Sequence, residues 1–127
     1  MASVVYLDTH VLVWLSQGTP AKLSKKAQRL VNHEDLRISP FVTLELTFLY
    51  EIGRLTMSPS AYLPQVMSDL GLRVCDTGTE ELVREAAGMS WTRDPFDRMI
   101  TAAAAHNDAR LVTADEHILA NYAKAIW

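Results

Sequence analysis

The apolar positions of the chain fall into two kinds of segment, short runs rich in β-branched residues and longer stretches with helical spacing. The short runs predict strands at Ser3–Leu7, Leu36–Ser39, Leu72–Cys75 and Ala109–Thr113, with an edge strand at Tyr122–Trp127. The longer stretches predict helices over residues 10–16, 23–31, 40–52, 59–70, 79–87 and 95–106, and a short helix after residue 115. Ser24 and Thr79 are the expected caps of two of them. Because strands that alternate with helices are typical of βαβ units, we expect an α/β fold with a mostly parallel sheet and helices on both faces.

Length and composition fit one globular domain over residues 1–127. Hydrophobic residues make up 49% of the chain and charged residues 21%, which excludes a disordered chain. No apolar run approaches the roughly 18 residues of a membrane span, and Asp8 and His10 interrupt the N-terminal segment, so no signal peptide is expected. The single cysteine, Cys75, excludes an internal disulfide and fits a cytoplasmic location. With a net charge of −3, the protein could hold a polyanion only through a local basic patch or bound cations.

The segment Thr92–Ile100 predicts the start of a helix that carries two acids. Asp94 is a preferred N-cap residue, and Pro95 suits the first helical position because its missing N–H would be unpaired there anyway. Asp97 falls in the first turn, at the flank of the face that we expect to be buried, which comprises Phe96, Met99, Ile100, Ala103 and Asn107. Either acid could simply stabilise the positive end of the helix dipole.

Two further acids follow predicted strands directly. Asp8 comes after the first strand, and Asp115 comes after the strand Ala109–Thr113. In an open parallel sheet, ligands bind beyond the carboxyl ends of the strands, near the point where the strand order reverses. We therefore expect both acids at a functional site, with capping of the next helix as the alternative.

Glu45 occupies an unusual position in the helix that begins at Pro40. It falls inside the apolar stripe of that helix, which comprises Phe41, Leu44, Phe48, Leu49 and Ile52. A buried carboxylate must be protonated, paired or metal-bound, because an isolated buried charge is too costly. Arg98 or Arg54 could pair with it, or the stripe could emerge at solvent. The functional hypothesis is that Glu45 faces a polar cavity together with the other acids.

Four acids in one cavity, Asp8, Glu45, Asp97 and Asp115, would repel one another and require a counter-charge. Mg²⁺, or Mn²⁺ in its place, meets that requirement, because hard cations take carboxylate oxygens, waters and substrate phosphates as ligands. The four histidines and Cys75 lack the spacing of a zinc site. The chemistry expected of such a site is hydrolysis of phosphodiester bonds, with the metal lowering the pKa of a bound water. Bound cations would also overcome the unfavourable net charge.

Four motifs in order along the chain resemble those of the PIN-domain nucleases, and more narrowly of the VapC-type toxins of bacterial toxin–antitoxin pairs. They are Leu7–His10, Ser39–Glu45, Asp94–Arg98 and Leu111–Asp115. The resemblance implies a compact three-layer α/β/α domain, an Mg²⁺- or Mn²⁺-dependent endoribonuclease that cuts tRNA or rRNA, a homodimer, and inhibition by a cognate antitoxin in the active-site groove.

The resemblance also implies roles for individual residues. Asp8, Glu45, Asp97 and Asp115 match the acidic quartet that performs catalysis and binds metal in the family. Asp94 matches an additional acid with a supporting role, and Thr9 and Thr113 match hydroxyl positions that orient a ligand carboxylate or a water. Arg98, placed against the helix dipole, is expected to bridge nearby acids or to contact an RNA phosphate.

Other side chains have less specific interpretations. The basic positions Lys25, Lys26 and Arg29 form either a solvated helix face or an RNA-backbone contact. Apolar residues between Phe48 and Met67 exceed what one helix can bury, so part of them could form a dimer or antitoxin surface. Trp14 and Trp91 are expected to pack in the core rather than to stack on bases.

Two other classes of protein remain as alternatives. A receiver-like signalling domain also clusters acids around Mg²⁺ at strand ends, but it would require a lysine near the end of the last strand, and Lys124 is poorly placed for that. In a non-catalytic binding module, the acids would pair instead with Arg93, Arg98 and Arg110.

Overall fold

All five strands of the central sheet run parallel, in the order β3-β2-β1-β4-β5. The computed structural model describes residues 2–127. The strands are β1 (Val4–Leu7), β2 (Asp35–Ile38), β3 (Arg73–Val74), β4 (Arg110–Val112) and β5 (Ala125–Ile126). The helices are α1 (Thr9–Ser16), α2 (Lys25–His33), α3 (Pro40–Glu51), α4 (Pro59–Leu70), α5 (Thr79–Ala87), α6 (Pro95–His106) and α7 (Glu116–Asn121), and a short 3₁₀ helix spans Pro20–Lys22. The predicted α/β architecture is confirmed, including the edge strand at the C-terminal end.

The strand order reverses its direction between β1 and β4. The chain moves from β1 outward to β2 and β3, then crosses back over the sheet to β4 on the other side of β1. Crossovers between parallel strands are right-handed, so this reversal moves the helices to the opposite face and produces three layers. The carboxyl ends of β1 and β4 lie side by side there, and the Asp8 N–H donates to the Val112 carbonyl at 3.0 Å. This is the topological switch point at which α/β sheets bind ligands.

Helix α6 forms the centre of the core, and its burial differs from the prediction. Six consecutive residues, Met99–Ala104, are buried, whereas Phe96 is half-buried and Asn107 is exposed. The predicted buried face is therefore confirmed at Met99, Ile100 and Ala103 and wrong at Asn107, and burial extends to residues outside it. The helix packs against α3, α5 and the strands β1 and β4, so its middle is enclosed on all sides. Small residues at 102–105 allow that close approach.

The predicted buried stripe of α3 was wrong at three of its five positions. The helix buries Val42, Leu46 and Leu49, while the side chains of Leu44, Phe48 and Ile52 are 54%, 45% and 50% exposed. Apolar residues occupy both sides of this helix, so their spacing could not identify the side that meets the sheet. Glu45 lies between the two sides and is half-buried.

Of the two caps predicted for α2 and α5, the structure confirms the first and not the second. Ser24 caps α2 by accepting from the Ala27 N–H at 3.0 Å. The cap of α5 is Gly78 rather than Thr79, which is already the first helical residue. Gly71, with φ of +62°, ends α4 in the left-handed conformation that glycine adopts without a steric penalty. Within residues 2–127, no helix is both long and apolar enough to cross a bilayer.

Candidate active site

Five carboxylates line one cavity of about 360 Å³ at the carboxyl ends of β1 and β4. We call it the acidic cavity, and its acids are Asp8, Glu45, Asp94, Asp97 and Asp115. They come from four separate parts of the chain, and the fold brings all five predicted acids to this one place. His10, Trp14 and Ala114 complete the lining.

Asp8 is the most deeply buried of the five acids. It follows β1 and caps α1, with Oδ1 accepting from the Thr9 N–H at 2.7 Å. Its other oxygen, Oδ2, accepts from the Thr113 hydroxyl at 2.6 Å, and the Asp8 residue is 7% exposed. Thr113 is fully buried at the end of β4, and its hydroxyl also accepts from the Asp115 N–H at 3.0 Å. One hydroxyl therefore joins the two loops that follow β1 and β4.

Glu45 is fixed by the residue next to Asp8. The Thr9 hydroxyl donates to Glu45 Oε1 at 2.5 Å, across a distance of 36 residues in sequence. Thr9 is fully buried beneath the cavity, so this hydrogen bond holds the Glu45 carboxylate at the cavity wall. Both predicted threonines thus orient acids of the cavity.

Three helices begin at the acidic cavity, and an aspartate caps each of them. Asp8 caps α1, and Asp94 caps α6 by accepting from the N–H groups of Phe96 and Asp97 at 2.8 and 3.3 Å. Asp115 caps α7 by accepting from the Ile118 N–H at 3.0 Å. Capping and participation in the cavity therefore occur together in the same side chains. The helix N-termini also direct partial positive charge toward this region, which offsets part of the repulsion between the acids.

Burial and mutual repulsion raise the pKa of three of these acids. Burial is the main cause for Asp97, whose pKa rises to about 7 with further contributions from the other four carboxylates. Burial also raises the pKa of Asp8, against the opposing effect of its hydrogen bonds from Thr113 and Thr9. Burial is also the main cause of the raised pKa of Glu45, and the hydrogen bond from Thr9 opposes that shift. The cavity therefore favours protons or another positive charge.

The arginines that could have neutralised the acids interact elsewhere. Arg98 donates to the carbonyls of Thr92 at 2.8 Å and Ala86 at 3.4 Å, so the prediction that it bridges acids was wrong. Arg93 donates to the Ser90 carbonyl, and Arg110 contacts Glu34 and Ser3. Among residues 2–127, no Lys or Arg makes an ion pair with an acid of the cavity. The salt-bridge alternative for these acids, including Glu45 with Arg54 or Arg98, is therefore wrong.

The receiver-like alternative also lacks its key residue in the structure. Lys124 Nζ forms an ion pair with Asp108 at 2.7 Å and contacts the Asp108 carbonyl. Asp108 follows the C-terminal end of α6, whereas the acidic cavity lies at the N-terminal end of that helix. Lys124 therefore does not serve the acidic cavity.

The donors of the acidic cavity fit a hard divalent cation. All five acids offer oxygen atoms, as Mg²⁺ and Mn²⁺ prefer, and the raised pKa values show that positive charge is favourable there. Across the described chain, however, no three Asp, Glu, His or Cys side chains converge closely enough to form a ready-made metal cage. One or two carboxylates with water and substrate oxygens would therefore supply the ligands, which is the usual arrangement for Mg²⁺.

Sequence reasoning missed two residues of the cavity lining, His10 and Trp14. Trp14 was expected in the core, but it is half-buried with part of its ring at the cavity. His10 had no predicted role beyond the absence of zinc spacing. The available signal was their position, because residues two and six places after Asp8 lie one helical turn apart on α1. The basic residues Lys25, Lys26 and Arg29 are exposed on α2 and do not line the cavity.

Comparison with known proteins identifies the family to which this fold and cavity belong. Residues 5–125 match the PIN domain family. The chain therefore belongs to the PIN domain family. It is 31% identical over 118 residues to ribonuclease VapC22 of Mycobacterium tuberculosis (strain ATCC 25618 / H37Rv), an alignment that covers 91% of this chain and 90% of that relative. It shares its fold with a chain of the crystal structure of VapBC2 from Rickettsia felis bound to a DNA fragment from their promoter, with a TM-score of 0.65, 20% identity and 92% of each chain covered.

Proposed function

We propose that this protein is an endoribonuclease toxin of the VapC type that hydrolyses RNA phosphodiester bonds with Mg²⁺ or Mn²⁺. The observation that carries the proposal is the acidic cavity at the switch point of the sheet, in which five carboxylates make no ion pair with any Lys or Arg of residues 2–127. The similarity to a ribonuclease over nine-tenths of both chains supports RNA as the substrate. The proposed catalytic and metal-site residues are Asp8, Glu45, Asp97 and Asp115, of which one or two would bind a given ion directly and the others through water, with Asp94 in a supporting role.

The chain's own residues have distinct tasks in this mechanism. Thr113 and Thr9 hold Asp8 and Glu45 in fixed orientations, so their free oxygen lone pairs are presented to the cavity without further ordering cost. When bound, the metal supplies neutralising charge for the phosphate and lowers the pKa of an attacking water. The N-termini of α1, α6 and α7 add partial positive charge where a phosphate would approach. Cation binding would also displace the protons that the raised pKa values favour.

Two protein partners follow from the same proposal. A cognate antitoxin would inhibit the enzyme by occupying the groove at the acidic cavity. An apolar cavity of about 170 Å³ lined by Val13, Leu55, Met57 and Tyr62 lies further along α1 and would extend that surface. The exposed residues Leu44, Phe48 and Ile52 of α3 would form a homodimer interface. Phe96 would belong to it as well, because its ring stacks on that of Phe48 with the centroids 6.0 Å apart.

The first experiment is cleavage of a tRNA and rRNA mixture by the purified protein in Mg²⁺ or Mn²⁺. Discrete fragments should appear, and they should disappear with EDTA and with Asp8→Asn. Asp35→Asn is the matched control, because Asp35 is an exposed acid on β2 that does not line the cavity. Fragments that persist with Asp8→Asn would identify a contaminant and contradict the proposal.

Calorimetry of metal uptake separates an enzyme with an untested substrate from a non-catalytic binding module. Titration with Mn²⁺ should show binding and release of protons in the wild type and in Asp35→Asn, but not in Asp8→Asn. No uptake by the wild-type protein would exclude a metal-dependent nuclease.

Light scattering of wild type and Phe48→Glu tests the dimer, which the charged side chain should separate into monomers.

A further inference from the structure

Trp14 places an aromatic surface in a cavity that is otherwise dominated by carboxylates. It lies on α1 one turn after His10, and both side chains line the acidic cavity. The neighbouring residues Val11, Leu12 and Val13 are buried and account for the packing of α1 on the core. Trp14 is the residue of this helix that contacts both the core and the cavity.

Two other aromatic rings hold the indole in place. The Trp14 and Trp127 ring centroids are 5.8 Å apart at an interplanar angle of 55°, and those of Trp14 and His10 are 6.2 Å apart at 51°. Tilted rings at these separations are favourable aromatic pairs. Trp127 follows the edge strand β5, so this pair joins α1 to the last strand of the sheet. Both ring contacts and the half-buried position restrict the rotation of the indole.

The charge of the cavity determines what this ring could bind. The five carboxylates repel the phosphates of a nucleic acid. Cations bound there would neutralise the charge of the nearest phosphate only. A nucleobase carries no net charge and presents a flat π surface, so it can approach the indole without electrostatic cost. Stacking of one base on an aromatic side chain contributes about tenfold to a hundredfold in affinity and tolerates any base. Only an unpaired nucleotide can expose its base in this way.

We propose that Trp14, which pairs at a tilt with His10 and Trp127, forms a nucleobase-stacking subsite for an unpaired nucleotide next to the phosphate that is cut. This inference rests on the proposed nuclease function and specifies its substrate as single-stranded RNA at the cleavage site. Trp14 is a substrate-positioning residue, because the base it holds fixes the distance between the phosphate and the carboxylates. The structural alternative is that Trp14 only joins α1 to the C-terminal strand through Trp127.

Cleavage of oligoribonucleotides that contain one abasic residue distinguishes these roles. The abasic residue is moved through the three nucleotides on each side of the cut bond. At one position we expect the wild-type kcat/KM to fall about tenfold to a hundredfold. Trp14→Leu should lose the same factor on intact RNA and should lose nothing further on that abasic RNA, whereas Trp14→Phe should retain most of the activity on intact RNA. Trp91→Phe is the control, since Trp91 is half-buried but does not line the cavity.

The proposed subsite would be overturned if the Trp14→Leu substitution and the abasic residue acted independently on kcat/KM. If Trp14→Leu and the abasic residue reduced kcat/KM by factors that multiply at every position, Trp14 would have a structural role only. The same conclusion would follow if the melting temperature of Trp14→Leu fell in proportion to its activity and Trp14→Phe restored neither.

A binding measurement keeps the subsite testable if the wild type cleaves none of the RNAs offered, an outcome for which metal calorimetry tests the nuclease proposal separately. In a Trp91→Phe protein, tryptophan fluorescence is recorded within milliseconds of mixing with an unstructured oligoribonucleotide in Mg²⁺. Trp127 also fluoresces in this protein, so the signal of Trp14 is the part of the quenching that is lost when Trp14→Phe is added. Such a loss, with no quenching by a perfect RNA duplex, would support the subsite. Equal quenching by single strand and duplex, or none, would overturn it.

Discussion

The first turn and the middle of the same helix, α6, lie in opposite environments. Its first turn, with Asp94 and Asp97, borders the acidic cavity, where the carboxylates repel one another. Its middle, Met99–Ala104, is enclosed by apolar side chains and has no charged residue. The middle of the helix contributes stability, and the first turn gives up some of that stability to hold acids together. The helix therefore positions its acids by anchoring them one turn from the densest part of the core.

Replacement of Asp97 by Asn should have the largest effect on activity. Asparagine keeps the size of the side chain but removes the charge that would help to hold a cation, so cleavage should fall by roughly a thousandfold, the scale on which preorganised electrostatic groups act. Thermal unfolding should show a melting temperature equal to or above that of wild type, because one repelling carboxylate is gone. A large drop in melting temperature would mean that Asp97 makes a stabilising interaction and that the first turn of α6 does not differ from its middle in this respect.

The opposite result is expected one turn further along α6. Ile100 is 1% exposed, so Ile100→Ala should lower the free energy of unfolding by about 3 kcal/mol through the cavity that it leaves. Urea unfolding measures that loss. RNA cleavage per folded molecule, measured at low temperature, should stay within about threefold of wild type because the acids keep their hydrogen bonds. A specific loss of cleavage with unchanged stability would show that the core and the cavity are not separable along this helix.

Thr113→Val tests the connection between the two loops of the cavity. The substitution leaves Asp8 Oδ2 and the Asp115 N–H without their partner, so we expect a loss of about 1 to 3 kcal/mol in stability and of about 10- to 100-fold in cleavage. Chemical unfolding and cleavage kinetics on the same samples measure the two effects.

Thr101→Val is the matched control for that substitution. Thr101 is 1% exposed in the middle of α6, and its hydroxyl is the buried side-chain polar atom without a hydrogen-bond partner in the described part of the chain. Its removal should leave cleavage unchanged and raise stability by up to about 1 kcal/mol. If Thr101→Val cost as much as Thr113→Val, the hydroxyl partners would not explain the Thr113 result.

The smallest predicted effect is a pH dependence of stability in EDTA. The pKa of Asp97 is about 7 in the folded protein and close to the ordinary 3.8 when unfolded, so between about pH 4 and pH 7 the folded state binds more protons. Stability should therefore decrease as the pH rises through this range and level off above pH 7. Because Asp97 is only half-buried and screened by solvent, we expect a change of about 1 kcal/mol.

Urea unfolding at pH 5 and pH 8 measures this dependence, and Asp97→Asn provides the comparison. The free energy of unfolding of Asp97→Asn should exceed that of wild type at pH 8. The two values should be similar at pH 5, where wild-type Asp97 is protonated and uncharged. Since Asp8 and Glu45 shift in the same direction, some dependence should remain in the variant. An equal pH dependence of stability in the two proteins would show that the charge of Asp97 is not a source of the repulsion.

Sequence patterns predicted the structure correctly where a feature depends only on residues that are neighbours in the chain. The strands, the caps Ser24 and Asp94 and the glycine that ends α4 follow from short segments, and the structure agrees with them. They were insufficient at α3, where Leu44 and Phe48 look as apolar as Val42 and Leu46. The position of Arg98 was missed for the same reason, because its partners are carbonyls that only the folded chain brings near.

The sequence by itself determined the order of helices and strands and the four segments that supply the acids, because periodicity, capping and strand composition are properties of short stretches of chain. Only the tertiary structure decided that Asp8 and Asp115 share the hydroxyl of Thr113, that Thr9 holds Glu45, and that Trp14 borders the cavity. Those contacts join residues up to 105 positions apart. Their formation depends on which strands pair and on which side of the sheet each helix packs, and no local pattern encodes that choice.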